Sequence, residues 1–278
     1  MDRTLPRHTP AAWRFSFPHL THTLRRTVAT ALPPAVVLLG ALLAWDLFVR
    51  WSGAKPYLVP SPGAVWRRWW GDLGFFYGEG LVTVQEAIGG LALGGGLALL
   101  VAVVVAHWRA LERGVLPVAI AVKVTPVVAV APLFTIWFGF GPLPKVLIAA
   151  LITFFPLLVN AITGFRAVNP TTLALLRALD ASPARIFFTL RLPSALPYIF
   201  AALKVSATLA LIGAMVAEWS GAGRGLGRVV LLAHSNLDMP TLFAGVFTLA
   251  SLGVLLTGTI SLIERRLLFW HEAFWSHE

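Results

Sequence analysis

Six long runs of apolar residues, separated by shorter polar segments, dominate the hydropathy pattern of this chain. Each run has about the 20 residues that a helix needs to cross a bilayer. The pattern therefore predicts an all-α integral membrane protein with about six transmembrane helices. They are predicted at residues 28–49, 84–106, 115–138, 145–165, 195–217 and 242–263.

The segment of residues 170–193, here called the polar segment, interrupts this pattern between the fourth and fifth runs. It is too polar to span a membrane, yet its apolar residues recur at helical spacing. Pro170 supplies a helix start, and Leu173, Leu176 and Leu179 follow at intervals of three residues. The first part of the polar segment is therefore predicted to be a short helix.

The second part of the polar segment is predicted to be another short helix, set at an angle to the first. Asp180 is one of the residue types that tolerate a left-handed turn, and Ser182 can cap a helix that begins at Pro183. We expect this helix to end at a break at Leu192-Pro193. Two interpretations remain open: an amphipathic interfacial hairpin that links two spans, or a docking element for a cytoplasmic partner.

The Lys and Arg residues orient the spans, because cytoplasmic segments carry an excess of them. With the N-terminus inside, the inner segments hold about twice as many Lys and Arg residues as the outer ones. Residues 1–27 lack the apolar region and cleavage site of a signal peptide and are predicted to be a retained cytoplasmic tail. The six-span domain then covers residues 28–266, residues 267–278 form a C-terminal tail, both termini are cytoplasmic, and the polar segment faces the cytoplasm.

Composition supports the membrane assignment and excludes several kinds of site. Of the 278 residues, 58% are hydrophobic and only 12% are charged, and the mean hydropathy is +0.80. The chain has no cysteine, which excludes disulfides, thiolate metal sites and a cysteine nucleophile. The net charge of +10 lies in short segments between apolar runs, which favours contact with acidic membrane lipid over nucleic acid.

Motifs for chemistry within the chain are absent from the sequence. No G-x-x-x-x-G-K-[ST] loop is present to hold ATP phosphates, and the seven histidines show no metal-ligand spacing. A membrane-embedded enzyme, the alternative from a different class, would need a paired nucleophile and base within a span, and none is visible. A stand-alone carrier would need an internal repeat, which is also not visible. We therefore expect a transport subunit that is not an enzyme and binds no metal or cofactor.

Lys123 lies inside the third predicted span, just before Thr125-Pro126. Charges within spans are costly and usually face a cavity or a partner, and a proline frees a backbone carbonyl for local hydrogen bonding. Lys123, Thr125 and Pro126 are therefore predicted to line a translocation path, with a structural ion pair as the alternative for Lys123.

Two glutamates mark the ends of predicted spans. Glu218 ends the fifth span and could pair with Arg224 or Arg228, or line an outer gate, and it is included among the predicted path residues. Glu86 begins the second span and is predicted to lie at the membrane interface.

Glycines crowd the second predicted span. Gly90 and Gly94 form a small-xxx-small pattern that lets helix backbones approach closely. Helix packing is the favoured interpretation, and hinge motion is the alternative.

The polar segment resembles the coupling-helix motif of ABC-importer permeases, which reads EAA, three residues, Gly, nine residues, Ile-x-Leu-Pro. Asp180 stands at the glycine position, and Leu190-Arg191-Leu192-Pro193 follows after nine residues. The triplet reads Ala174-Leu175-Leu176, so its acidic residue is absent. The resemblance implies that ATPase coupling rests on Arg177, Leu179, Asp180, Ala181, Ser182, Arg185, Leu190, Leu192 and Pro193.

The resemblance extends over most of the chain from Tyr57 to Trp270. It includes the LVPSP sequence at residues 58–62, the stretches at 125–141 and 154–160, and the residues from 217 to 227. Together they resemble the permease subfamily that imports nitrate, sulfonates, taurine, or heterocycles related to thiamine and riboflavin. Permeases for thiamine-precursor pyrimidines or riboflavin look most similar, ahead of the sulfonate, taurine and nitrate branches.

The resemblance implies the type I ABC-importer permease fold with cytoplasmic coupling helices, in a bacterial inner membrane. Because six helices make a poor pore alone, two copies around a shared path are expected. The implied partners are a cytoplasmic ABC ATPase dimer, which would hold ATP and Mg, and a periplasmic or lipid-anchored solute-binding protein. Hydrolysis in the ATPase would move the polar segment as a rigid body and rock the attached spans.

Overall fold

The structure is a computed structural model that describes residues 19–53 and 55–269. Those ranges contain eleven α-helices and one π-helical turn at Phe187–Arg191, and no strand. In chain order the α-helices are α1 (His19–Ser52), α2 (Pro62–Gly71), α3 (Leu73–His107), α4 (Arg109–Val124), α5 (Val127–Phe138), α6 (Leu143–Arg166), α7 (Pro170–Ala178), α8 (Pro183–Ile186), α9 (Leu192–Glu218), α10 (Leu226–Ser235) and α11 (Met239–Leu267).

The chain divides into two compact units, and the first, residues 1–54, contains α1. The stretch Leu32–Ser52 of this helix is long enough to cross a membrane, and an 18-residue window within it has a mean hydropathy of 2.0. Because α1 begins at His19, residues 19–27 of the predicted N-terminal tail are helical. The rest of that predicted tail, and the end of the predicted C-terminal tail from residue 270, lie outside the described residues.

The second unit, residues 55–278, is built around three long helices, α3, α6 and α9. Their shared core contains mainly small side chains, including Ala98, Ala161 and Ala195, around the larger Leu157 and Leu158. Small side chains let long helices approach closely over their full length. The three helices therefore form one tightly packed bundle, against which α10 and α11 also pack.

Gly90 and Gly94 lie where α3 meets α6, and there is no room beside them for a side chain. A Cβ atom at Gly94 would meet the backbone carbonyl of Ala150 and lie 2.6 Å from Thr153 Oγ1. A Cβ at Gly90 would lie 2.9 Å from the backbone nitrogen of Ala150. The packing interpretation of this glycine pair is confirmed.

Five helical stretches of the described residues are long and apolar enough to cross a membrane, at Leu32–Ser52, Leu73–His107, Leu143–Arg166, Pro183–Glu218 and Met239–Leu267. The predicted third span, residues 115–138, is instead divided into α4 and α5, which meet at Thr125 and Pro126. The division has a physical cause, since proline lacks an N–H and disfavours a helical conformation in the residue before it. The prediction of one continuous helix at this position was wrong.

Candidate functional site

Local hydrogen bonds of polar side chains define the first helix of the polar segment. Asn169 Oδ1 accepts hydrogen bonds from the backbone N–H groups of Thr171 (2.9 Å) and Thr172 (3.4 Å), and Pro170 occupies the first turn of α7. Asparagine is among the best capping residues, and proline suits the first helical position. The start of α7 at Pro170 is therefore as predicted.

Asp180 reverses the chain between α7 and α8. Its φ is 51°, in the left-handed region, which aspartate tolerates better than most residues. The N–H of Asp180 donates to the carbonyl of Arg177, and that of Ala181 donates to the carbonyl of Leu176, both at 3.0 Å. These bonds satisfy carbonyls at the end of α7 and fix the turn, as the sequence predicted.

Ser182 starts the second helix of the polar segment. Its Oγ accepts a hydrogen bond of 3.3 Å from the N–H of Arg185, and Pro183 is the first helical residue. Two capped helices thus meet at a fixed turn, and the predicted pair of short helices is confirmed.

The predicted break at Leu192-Pro193 is absent. Arg191 and Leu192 both have helical backbone angles, so the chain from Pro183 to Glu218 is helical without interruption. The π-helical turn ends two residues before Pro193, and at its end the N–H of Leu192 donates to the carbonyl of Phe187. Proline is tolerated in the first turn of a helix, and a π turn is the usual way to insert one extra residue. The prediction was wrong because the helix forms a π turn there and continues without a break.

The π-helical turn contacts the ends of two core helices. The ring of Phe187 lies 5.5 Å from that of Phe165 near the end of α6 and 5.8 Å from that of His107 at the end of α3. Arg191 Nη1 donates a hydrogen bond of 3.0 Å to the carbonyl of Ala106. Displacement of the polar segment would therefore act on α9 through the continuous helix and on α3 and α6 through these contacts.

The predicted coupling residues fall into two groups by exposure. Arg177, Leu179, Asp180, Ser182 and Arg185 are exposed, and Leu179 retains 69% of its accessible surface. The remaining four are partly buried: Ala181 in the turn between α7 and α8, and Leu190, Leu192 and Pro193 where the polar segment joins α9. The exposed group therefore presents both apolar and basic side chains at the surface around the turn.

Lys123, Thr125 and Pro126 are exposed at the junction of α4 and α5. The Lys123 ammonium lies 4.8 Å from the centre of the Phe155 ring, a cation–π distance. Thr125 Oγ1 donates to the carbonyl of Ala121 at 3.0 Å, satisfying a backbone acceptor close to the junction. The structure brings these three predicted path residues together, and Glu218 lies elsewhere.

Glu218 is only 1% exposed and lies at the end of the bundle opposite the polar segment. It accepts hydrogen bonds from Thr83 Oγ1 at 2.6 Å and from the N–H of Gly227 at 2.5 Å. Arg224 pairs with Glu79, at 3.0 Å, so of the alternatives given for Glu218 the pair with Arg224 is not found among the described residues. Glu218 holds the turn between α9 and α10 against α3, and its predicted place on the path stays a prediction.

Glu86 is buried, contrary to its predicted interfacial position. Its Oε1 lies 3.5 Å from Lys145 Nζ, and both side chains keep less than 9% of their surface. Lys145 also donates to the backbone carbonyls of Phe140 (3.3 Å) and Gly141 (3.0 Å). The prediction for Glu86 failed because its partner, Lys145, lies on a different helix. Local hydropathy shows the burial of neither Glu86 nor Lys145.

Glu79, Thr83 and Lys145 lie at the same end of the bundle as Glu86 and Glu218. We call these five residues the carboxylate cluster. Sequence analysis did not single out Thr83, Glu79 or Lys145 as site residues. Charges embedded in apolar runs are usually paired with one another, and that signal could have linked Glu86 to Lys145. Among the described residues, no group of three or more His, Cys, Asp or Glu side chains could hold a metal ion.

Residues 90–269, most of the second unit, match the family described as the binding-protein-dependent transport system inner membrane component. The match includes α6, the polar segment, the turn after Glu218 and α11. The chain belongs to this family. It is therefore a membrane component of a transport system, with the all-α permease fold.

Three permeases illustrate the relationship. The chain is 35% identical to the formylaminopyrimidine transport permease protein ThiX of Halalkalibacterium halodurans, over 87% of this chain and 97% of that protein. It is also 35% identical to the riboflavin transport system permease protein RibX of Chloroflexus aurantiacus, over 89% and 93% of the two chains. Identity to the taurine transport system permease protein TauC of Escherichia coli is 32%, over 57% and 58%.

Proposed function

We propose that the chain is the permease subunit of an ATP-driven importer for a small planar heterocycle, a thiamine-precursor pyrimidine or a related compound. The observation that carries the proposal is the structure of the polar segment. It consists of two capped helices joined by a fixed turn, the residues around the turn are exposed, and the second helix continues into the spanning helix α9. Such an element suits a subunit that is moved by a partner, because the chain contains no ATP-binding loop of its own.

The partner that drives the permease is a cytoplasmic ABC ATPase dimer, which holds ATP and Mg. Leu175 and Leu179, exposed at 58% and 69%, give the polar segment an apolar surface, and Arg177 and Arg185 add positive charge beside it. Interfaces between proteins commonly combine an apolar centre with a charged rim. The turn at Asp180 and the residues around it form the docking surface.

Two copies of the chain form the translocation path, and a periplasmic or lipid-anchored solute-binding protein delivers the solute. The excess of Lys and Arg on one side of the spans supports a cytoplasmic position for both termini and for the polar segment, with the chain in a bacterial inner membrane. The exposed residues Lys123, Thr125 and Pro126 line the path, since non-helical backbone at membrane depth needs a protein or water-filled environment.

The identity of the solute is supported by the relatives named for formylaminopyrimidine and riboflavin, which match almost the whole chain. A sulfonate, taurine or nitrate is the second candidate. It is favoured by the exposed ammonium of Lys123, which could attract an anion, and by the similarity to the taurine permease.

Co-purification tests the coupling proposal. The tagged chain is expressed with the ATPase encoded beside it, as wild type, as Asp180→Gly and as Asp180→Val. Glycine keeps the left-handed conformation at no steric cost, whereas a β-branched residue at φ 51° is strained by about 1–2 kcal/mol. We expect the ATPase to bind the wild type and Asp180→Gly equally and Asp180→Val several-fold more weakly. Equal binding of all three, with the permease folded, would show that the turn does not support docking.

Uptake by the complete transporter identifies the solute. Cells that express the permease with its ATPase and binding protein should accumulate labelled formylaminopyrimidine and show little uptake of taurine. The opposite preference would move the chain to the sulfonate branch, and uptake of neither solute would reject both candidates. Lys123→Gln should reduce uptake, and Lys123→Arg, which keeps the charge, should retain most of it.

A further inference from the structure

A small pocket lies between the end of α3 and the polar segment. Its volume is about 170 Å³, and it is lined by His107, Leu173, Arg177, Pro183, Ile186 and Arg191. His107 is the last residue of α3, a helix long enough to span a membrane in which an 18-residue window has a mean hydropathy of 2.4, so the pocket lies where this helix gives way to the polar segment. The lipid headgroups of a membrane begin where a spanning helix gives way to polar segments.

All three ionisable side chains that line the pocket are basic in type. Arg191 uses one guanidinium nitrogen for the carbonyl of Ala106, and His107 places Nδ1 2.8 Å from the carbonyl of Val103. Arg177 is exposed, and within the described residues its guanidinium has no hydrogen bond or ion pair. No carboxylate lines the pocket. The cavity therefore offers two guanidinium groups and an imidazole without an internal counter-charge.

We propose that this pocket binds the phosphate group of an acidic phospholipid. Arginine recognises phosphate through paired N–H groups, and basic pockets between spanning helices at the membrane surface are typical sites for anionic headgroups. Leu173 and Ile186 supply apolar surface for the part of the lipid next to its phosphate. The assignment of this site to the cytoplasmic leaflet rests on the proposed orientation of the chain. The existence of the site does not depend on that orientation.

A bound lipid would join two parts of the molecule that move together in the proposed mechanism. Arg177 belongs to α7, Arg191 to the π-helical turn, and His107 to the end of α3. One phosphate held among them would tie α7 to the core bundle. The polar segment would then be held in its capped arrangement more firmly in a membrane rich in acidic lipid.

The binding test uses the purified full chain in detergent, with short-chain phosphatidylglycerol, short-chain phosphatidylcholine and inorganic phosphate as separate probes. Native mass spectrometry counts bound lipid, and thermal unfolding reports stabilisation. We expect phosphatidylglycerol to bind and to raise the unfolding temperature, and phosphatidylcholine to do neither. Arg177→Gln should weaken phosphatidylglycerol binding about fivefold, the effect of one arginine near an anionic membrane surface. Arg113→Gln, which removes an exposed arginine that does not line the pocket, is the matched control.

Several results would overturn the proposal. Equal binding of both lipids would exclude recognition of the net negative charge, and an unchanged affinity in Arg177→Gln would place the lipid elsewhere. Inorganic phosphate that displaces the lipid at millimolar concentration would identify a free anion as the ligand and reject the lipid as its source. Because the chain is tested without ATPase or transported solute, these failures would leave the importer proposal intact.

Discussion

Lys145 and Glu86 form an ion pair in the interior of this protein. Both are buried, and the ammonium also binds the carbonyls of Phe140 and Gly141 just beyond the end of α5. Glu86 Oε2 has no hydrogen-bond partner among the described residues. A buried ion pair gains little over an apolar pair of similar size, but a single buried charge left without its partner is strongly destabilising. Lys145 therefore compensates Glu86 and fixes the chain that follows α5.

Removal of this lysine should be far more damaging than removal of the pair. We expect Lys145→Met to lower the free energy of unfolding by about 3–5 kcal/mol, because Glu86 is left buried and uncompensated. The double variant Lys145→Met with Glu86→Met should recover most of the loss. Thermal unfolding in detergent measures both, with Lys55→Met, at an exposed loop position, as the control. A double variant as unstable as the single one would mean that the carbonyl bonds of Lys145 matter more than its charge.

Glycines 225 and 227 explain why a glutamate can be buried at the end of α9. Gly225 has a φ of 117°, and a Cβ atom there would collide with the Glu218 carboxylate. The N–H of Gly227 donates directly to that carboxylate, and the N–H of Gly225 donates to Glu79 at 2.6 Å. Without side chains, the backbone after α9 can approach the acidic groups and satisfy them.

At the scale of helices, the contact between α3 and α6 depends on backbone proximity. Gly94→Ala would place a methyl group against the carbonyl of Ala150 and the hydroxyl of Thr153, and neither belongs to a flexible side chain. We expect a loss of stability of about 1–3 kcal/mol, the usual cost of overpacking. Gly96→Ala, two residues further along the same helix with open space beside it, should be neutral or slightly stabilising. Equal unfolding temperatures for the two variants would contradict the close-packing argument.

Elements fixed by local chemistry were predictable from the sequence. The caps at Ser182 and Pro183 and the turn at Asp180 depend only on neighbouring residues, and all three were predicted correctly. The continuous helix through Leu192 was missed because a proline, considered alone, indicates a helix boundary. Here the π turn before Pro193 lets the helix continue. The pairing of Lys145 with Glu86 was missed because it depends on the packing of α6 against α3.

At the scale of the whole molecule, the junction of α4 and α5 indicates which surface meets a second copy. α5 has 12 residues, too few to cross a bilayer, and its ends at Pro126 and Gly139 have non-helical backbone angles. Lipid cannot satisfy the backbone groups that such ends release. The exposed face of α5 therefore suits contact with protein or a water-filled path, which the proposed pair of copies would supply.

Because the chain has no cysteine, single cysteines can be introduced to test whether two copies meet along α5. Ile136 on α5 is 76% exposed, and Val254 on α11 is 72% exposed, so the two positions are matched in accessibility and lie on different helices. If the copies meet along α5, Ile136→Cys should form a disulfide-linked dimer when membranes are oxidised, and Val254→Cys should remain a monomer. The reverse pattern would place α11 at the interface and leave the backbone ends of α5 to be covered by another part of the assembly. The freed backbone at Pro126 and Gly139 needs a polar or protein environment, which lipid around α5 would not provide, and we therefore expect the α5 cross-link.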